Sequence, residues 1–243
     1  MAETMLYLVL YAGVLAGAVV AGLAGFAFSA VAGAMLLHVL PSSEAVPLMM
    51  ACSIVIQGAS VLTLRRAMRW RESLPYIAGG IVGILPALYL LYHVDTVTFR
   101  VGFRVFLAAY AAYMFFRPPV AYLRLAGNPF WGALVGFFGG LVGGVTAMPG
   151  AVTTIWCDLH GMAKEEQRGL VQPFIAAMQI AALALMLSRQ GFPSNVLTEL
   201  AFTLPALAAG TALGIALFGK VNDGVFRRVM FAVLFVAGLG LAA

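Results

Sequence analysis

The chain has 243 residues, 63% of them hydrophobic and only 9% charged, with a mean hydropathy of +1.01. Water-soluble domains carry about 25% charged residues to solvate their surfaces, so this composition excludes a soluble enzyme or binding module and points to a multi-pass membrane protein. The balance of 14 Lys and Arg against 9 Asp and Glu leaves +5. Most of the positive residues sit in short connections between apolar runs, where cytoplasmic loops concentrate them. The excess therefore reports topology, and no nucleic-acid partner is expected.

In chain order, the N-terminal apolar run lacks a basic n-region and is longer than a signal peptide's core, so it reads as retained. Charge-free stretches at 5–37, 45–64, 74–92, 105–116 with a start near 97, 125–157, 169–187, 200–219 and 229–243 mark the expected spans. The first and fifth are too long for one upright crossing and must tilt strongly or break: each would measure about 50 Å as continuous helix, against a hydrocarbon core of about 30 Å. Gly13, Gly17, Gly22, Gly25 and Gly33 in the first, and Gly136, Gly139, Gly140, Gly143, Gly144, Pro149 and Gly150 in the fifth, favour a break in each. The pairs Gly136/Gly140, Gly139/Gly143 and Gly140/Gly144 also have the spacing that lets two helices approach closely, so interruption and packing both fit. Cys52 and Cys157 lie in apolar stretches without metal-ligand spacing and read as small core residues. No metal or cofactor is expected.

The two halves of the chain resemble each other. Gly22-Leu23-Ala24-Gly25 recurs as Gly140-Leu141-Val142-Gly143, Gln57 falls opposite Gln179, Gly83 opposite Gly210, and Phe99-Arg100 opposite Phe226-Arg227. The expected organisation is a first repeat over 1–117, a connecting loop over 118–124 and a second repeat over 125–243, within a single membrane domain. If every stretch crosses once, the 14 Lys and Arg divide evenly between the two sides. If the fifth instead turns back to its starting side, only Arg100, Arg104 and Arg189 oppose the rest, which the positive-inside rule favours. With the first stretch broken likewise, the second half is inverted relative to the first, as in many secondary transporters. The fold class expected is an all-α integral membrane protein, an inverted repeat whose halves each hold a broken or re-entrant Gly-rich segment plus three transmembrane helices.

A break at mid-membrane exposes backbone groups that lipid cannot satisfy, so it must line a cavity or a protein-filled interior. Half-helix N-termini offer N–H donors to an anion, and no Lys or Arg lies at that depth of the sequence. The substrate-binding set expected from this reasoning is Ser29, Gln57, Gly144, Thr146, Met148, Gly150 and Gln179. The hydroxyls could equally bond back to a helix carbonyl, and the two glutamines could be interhelical ties rather than ligand contacts. Gln172, beside Pro173 at the start of its span, reads as an interface residue. His38, Glu44, Asp95, Asp158, His160 and Glu199 fall at span ends, which suits solvated roles better than a proton relay, and Arg100 and Arg104 suit snorkelling. Catalytic constellations are poor: Ser60 in Gly58-Ala59-Ser60-Val61 has no His inside a later span to act as its base.

The stretch GFFGGLVGGVTAMPGAVTTIW, with its echo AGLAGFAFSAVAGAML in the first half, resembles the TauE/SafE sulfite exporter family, also called the toluene-sulfonate uptake permease family. The first half departs from the family's pattern, with Phe26, Phe28 and Ser29 where glycines are usual and no proline before Pro41. The resemblance implies a secondary carrier, not an enzyme, for small organosulfur anions such as sulfite, sulfonates or sulfoacetate. It also implies a multi-pass protein of the cell (inner) membrane in contact with lipid, with a proton or sodium as candidate coupling ion. Transport direction and oligomeric state stay open at this level. A channel-like anion pore is the alternative, and a membrane-embedded enzyme or assembly factor a weaker one.

Overall fold

A computed structural model of the protein describes residues 2–64, 68–116, 128–190 and 194–218, and every regular element within them is a helix. The first long stretch does break: α1 (Ala2–Ala24) ends and α2 (Phe28–Val39) begins across Gly25, Phe26 and Ala27. α2 then runs back along α1, with Phe28 against Gly17 and Met35 and Leu36 against Gly13. α3 (Ser42–Leu64), α4 (Trp70–His93) and α5 (Thr96–Phe116) follow. The fifth stretch is parted at Ala147, Met148 and Pro149 into α6 (Pro129–Thr146) and α7 (Gly150–Leu159). Trp131 near the start of α6 stacks on Trp156 near the end of α7 at 6.4 Å, so this pair is also an antiparallel hairpin. α8 (Lys164–Gln190) and α9 (Ser194–Phe218) complete the described chain. The connection 118–124 and the expected span 229–243 lie outside the described residues.

Six of these helices, α1, α3, α4, α6, α8 and α9, are long and apolar enough to cross a membrane. At about 18 and 15 Å, α2 and α7 are too short to do so alone. The breaks differ in one respect from the sequence expectation: the glycines of the fifth stretch remain helical through Thr146, and the interruption falls at their C-terminal edge. Pro149 removes a backbone donor and disfavours helical geometry at Met148, whereas a glycine within a helix only weakens it. Ala27 (φ 48°) and Ala147 (φ 56°) both adopt left-handed backbone, the two non-glycine residues to do so among those described. Each such residue costs roughly 1–2 kcal/mol, a strain that persists only where its surroundings impose it.

The glycines retained in α6 serve packing. A Cβ at Gly136 or Gly140 would run into the backbone of Tyr76 or Gly80 on α4, and one at Gly79 or Gly83 into the carbonyls of Ala133 or Phe137 on α6. α1 and α9 meet the same way, through Gly22 against Thr211 and Gly214, and Gly210 and Gly214 against Leu15 and Val19. The first helix of each hairpin is thus clamped to a helix from the other half of the chain. α3 and α8 pass between, and Met49, Met50, Ile56, Phe174 and Ile175 are buried there. Cys52 and Cys157 are free and buried, as core residues.

One end of the bundle is fixed by polar contacts. Arg69 forms ion pairs with Glu72 (2.8 Å) and Glu166 (3.7 Å), its backbone N–H donates to Gly169 O, and the Ser73 hydroxyl donates to Leu170 O at 2.8 Å. The connections before α4 and before α8 therefore lie on the same face. At the opposite turn, Asp95 Oδ1 accepts from the backbone N–H groups of Val97 and Thr98, both at 3.0 Å, and caps α5. A hydrogen bond from the Thr98 hydroxyl foremost, and then these backbone bonds, hold the Asp95 carboxyl below the usual carboxylate range. α5 leaves an apolar cavity of about 380 Å³ against α4 and α6, bordered by Leu90, Phe99, Phe103, Phe106 and Val145.

Candidate functional site

An interrupted helix leaves carbonyls without intrahelical partners, and in a membrane they must be satisfied by protein. At the first break Gln57 of α3 donates from Nε2 to Gly25 O at 3.0 Å; at the second Gln179 of α8 donates from Nε2 to Ala147 O at 3.1 Å. Ser29 Oγ, at the start of α2, donates to the same Ala147 oxygen at 2.8 Å. That bond ties the two breaks together at one buried point. Because a carbonyl can only accept, each amide must turn its nitrogen to the break. The other amide atom, Oε1 of Gln57 and of Gln179, is then buried with no hydrogen-bond partner.

Ser29, Met148, Gly150 and Gln179 line a small cavity between the breaks together with Phe26 and Ser53. Its volume is about 10 Å³, the room of one water molecule. Gln57 stands behind Gly25. Thr146 is held locally: its hydroxyl donates to Val142 O at 2.7 Å and accepts from the Met148 N–H at 3.3 Å, and its far side borders the apolar cavity beside α5. Gly144 faces α4, where a Cβ would stand 2.6 Å from that of Ala87. The structure thus gathers five of the expected residues (Ser29, Gln57, Met148, Gly150 and Gln179) around the two breaks. Thr146 caps one of them, and Gly144 belongs to helix packing.

Two residues near the first break were not expected there. α8 begins at Lys164, ahead of the apolar stretch that marked its span, and this brings Arg168 inside the bundle at 6% exposure. Its Nη2 donates to Gly22 O at 3.0 Å near the end of α1, and its guanidinium lies 4.2 Å from the centre of the Phe218 ring. Gln172, read as an interface residue, is fully buried, and a Cβ on Gly25 would stand 3.2 Å from its Nε2. The charge-free criterion for spans excluded Arg168 by construction, yet its long side chain reaches inward from the helix end. A spacing of four residues, which sets Arg168 and Gln172 on one helix face, is the signal that could have joined them. Of the acidic residues at span ends, Asp158 and Glu199 are also buried.

Two hairpins broken at glycine- or proline-bearing turns are held by matched glutamines in a bundle of apolar helices. A family model for "Sulfite exporter TauE/SafE" matches residues 9–241. The chain belongs to the TauE/SafE sulfite exporter family. Membership makes it a multi-pass membrane transport protein, in agreement with its six apolar helices of crossing length. No curated protein and no solved structure matches it.

Proposed function

We propose that this TauE/SafE protein is a secondary carrier of the inner membrane for small organosulfur anions such as sulfite, sulfonates or sulfoacetate, working by alternating access around its paired helix breaks. The observation that carries the reading is the shared Ala147 carbonyl, where Ser29 of the first hairpin and Gln179 beside the second converge. The resemblance between the halves, their crossed packing and the two antiparallel hairpins support an inverted repeat with re-entrant segments. Ser29, Gln57, Met148, Gly150 and Gln179 are the residues whose contacts change as one hairpin rocks against the other. Thr146 and Gly144 set the register of α6.

Proteoliposomes loaded with unlabelled sulfite or methanesulfonate should accelerate uptake of the labelled anion, and uptake should saturate. Anion conductance without counterflow would instead establish a pore. Topology gives a second expected result. In a Cys52→Ala, Cys157→Ser background, Arg71→Cys and Glu165→Cys should react with an impermeant maleimide from the same side, the cytoplasmic one. Labelling from opposite sides would restore eight simple crossings and remove the re-entrant fifth segment.

A further inference from the structure

The donors that an anion needs are not concentrated where the breaks meet. There, one N–H of each glutamine and the Ser29 hydroxyl are committed to carbonyls, and the unpartnered side-chain atoms, Gln57 Oε1 and Gln179 Oε1, are acceptors. Such a surface offers an anion only the second N–H of each glutamine, beside two free acceptors. Donors collect instead on the other side of Phe26, whose ring borders both the cavity between the breaks and a second cavity of about 20 Å³. That second cavity is lined by Gly25, Thr154, Arg168, Gln172 and Phe218. In it Arg168 Nε and Nη1, both Gln172 amide atoms (Nε2 and Oε1) and Thr154 Oγ1 are buried without hydrogen-bond partners among the described residues, and the three side chains are 6%, 0% and 2% exposed; the amide's acceptor is one against four or more free donor N–H and O–H groups.

A buried guanidinium with two nitrogens unused, and a buried amide with nothing to bond, are costly arrangements in an apolar bundle. They are explained if a ligand completes them. We propose that Arg168, Gln172 and Thr154 form an anion-binding site for the –SO₃ group of sulfite or a sulfonate, placed one step outside the breaks with Phe26 as the partition between them. This deepens the transport reading and rests on it for the identity of the anion. The second N–H of Arg168 Nη2, paired with Nε–H or with Nη1–H, gives a planar edge of two donors for two oxygens, and the amide and hydroxyl come from α8 and α7 to reach the third. Gly25 keeps the wall low: its φ of 84° and the 3.2 Å approach of Gln172 leave no room for a side chain. In this conformation the cavity admits one or two water-sized atoms, so the whole group enters as the Phe218 or Phe26 ring moves aside.

The other half of the chain lacks this device. Aligning Gln57 with Gln179 puts the buried Val46 and Met50 opposite Arg168 and Gln172. Related halves that share the glutamines differ here, and the buried guanidinium belongs to the second half.

The test uses full-length protein in uncharged detergent, with sulfite and methanesulfonate as soluble probes and phosphatidylglycerol as the lipid arm. Binding to the native state raises its thermal midpoint. Gln172→Met removes an amide that bonds nothing, so it should leave the unliganded midpoint equal to or above wild type while weakening the response to both anions at least tenfold in concentration. Arg168→Gln should abolish the response. A wild-type response in either variant overturns the site, and so does a midpoint that rises with phosphatidylglycerol but with neither soluble anion, which would assign the donors to a lipid phosphate. Counterflow in liposomes separates this from the transport reading. Normal flux in Gln172→Met sinks the site and leaves transport standing, whereas anion binding lost in the variants with no flux in wild type sinks transport and leaves the site.

Discussion

Gly140→Val is expected to be the most damaging single substitution considered, seen as loss of monodisperse protein on gel filtration and a collapse of the thermal midpoint. Its Cβ would run into the Gly80 carbonyl across the α4–α6 contact, and neighbouring contacts at Gly79, Gly83 and Gly136 are equally close to backbone. Backbone cannot swing aside as a side chain does, so α6 would have to move away along its whole length. Overpacking costs about 1–3 kcal/mol where side chains can adjust, and here at least about 3 kcal/mol is expected, because membrane helices associate through this close packing with no hydrophobic drive between them. Gly58→Val on α3 is the matched control, since a Cβ there meets nothing within 4 Å. If both variants behave alike, the glycine rows are not what holds the two halves together.

The same glycines show what sequence can and cannot disclose. Span length against membrane thickness called for a strong tilt or a break in the first and fifth stretches, composition favoured the break, and both helices are interrupted there. The sequence did not tell which Gly or Pro would carry them, because glycine serves both close packing and chain reversal. The i, i+4 rule could have placed Gly144 on the packing face, since it continues the row of Gly136 and Gly140 that meets α4. The glutamines were legible for the opposite reason: an amide in an apolar span has few fates, and both turned inward. Arg168 was hidden because a formal charge at a span's end ordinarily snorkels outward. Its inward course depends on Gly22 O, far away in sequence, and on the pocket left open by Gly25. Charge position along a helix is readable from sequence, but the direction a long side chain takes at a helix end is set by what the tertiary structure leaves unpaired.

The bonds at the breaks themselves give the second large effect, and its form is an imbalance between the two glutamines. Gly25 O has one side-chain donor, Gln57, whereas Ala147 O has two, Gln179 and Ser29. Gln57→Leu should therefore strand a buried carbonyl, at about 1–3 kcal/mol, offset in part because the unpartnered Oε1 leaves with the amide. Gln179→Leu keeps the Ser29 bond and removes its own orphaned oxygen, so its thermal midpoint should lie close to wild type and above that of Gln57→Leu. Ser29→Ala should be similarly mild, since Gln179 remains. The double variant Ser29→Ala/Gln179→Leu then leaves Ala147 O bare, and its loss should exceed the sum of the single losses by about 0.5–3 kcal/mol. Thermal or denaturant unfolding in detergent measures all four corners of the cycle. Strict additivity would show that the two hairpins do not share a carbonyl in the membrane protein, and would separate the breaks as mechanical units. Coupling of the expected size would make Ala147 O the joint through which movement of one hairpin is felt by the other.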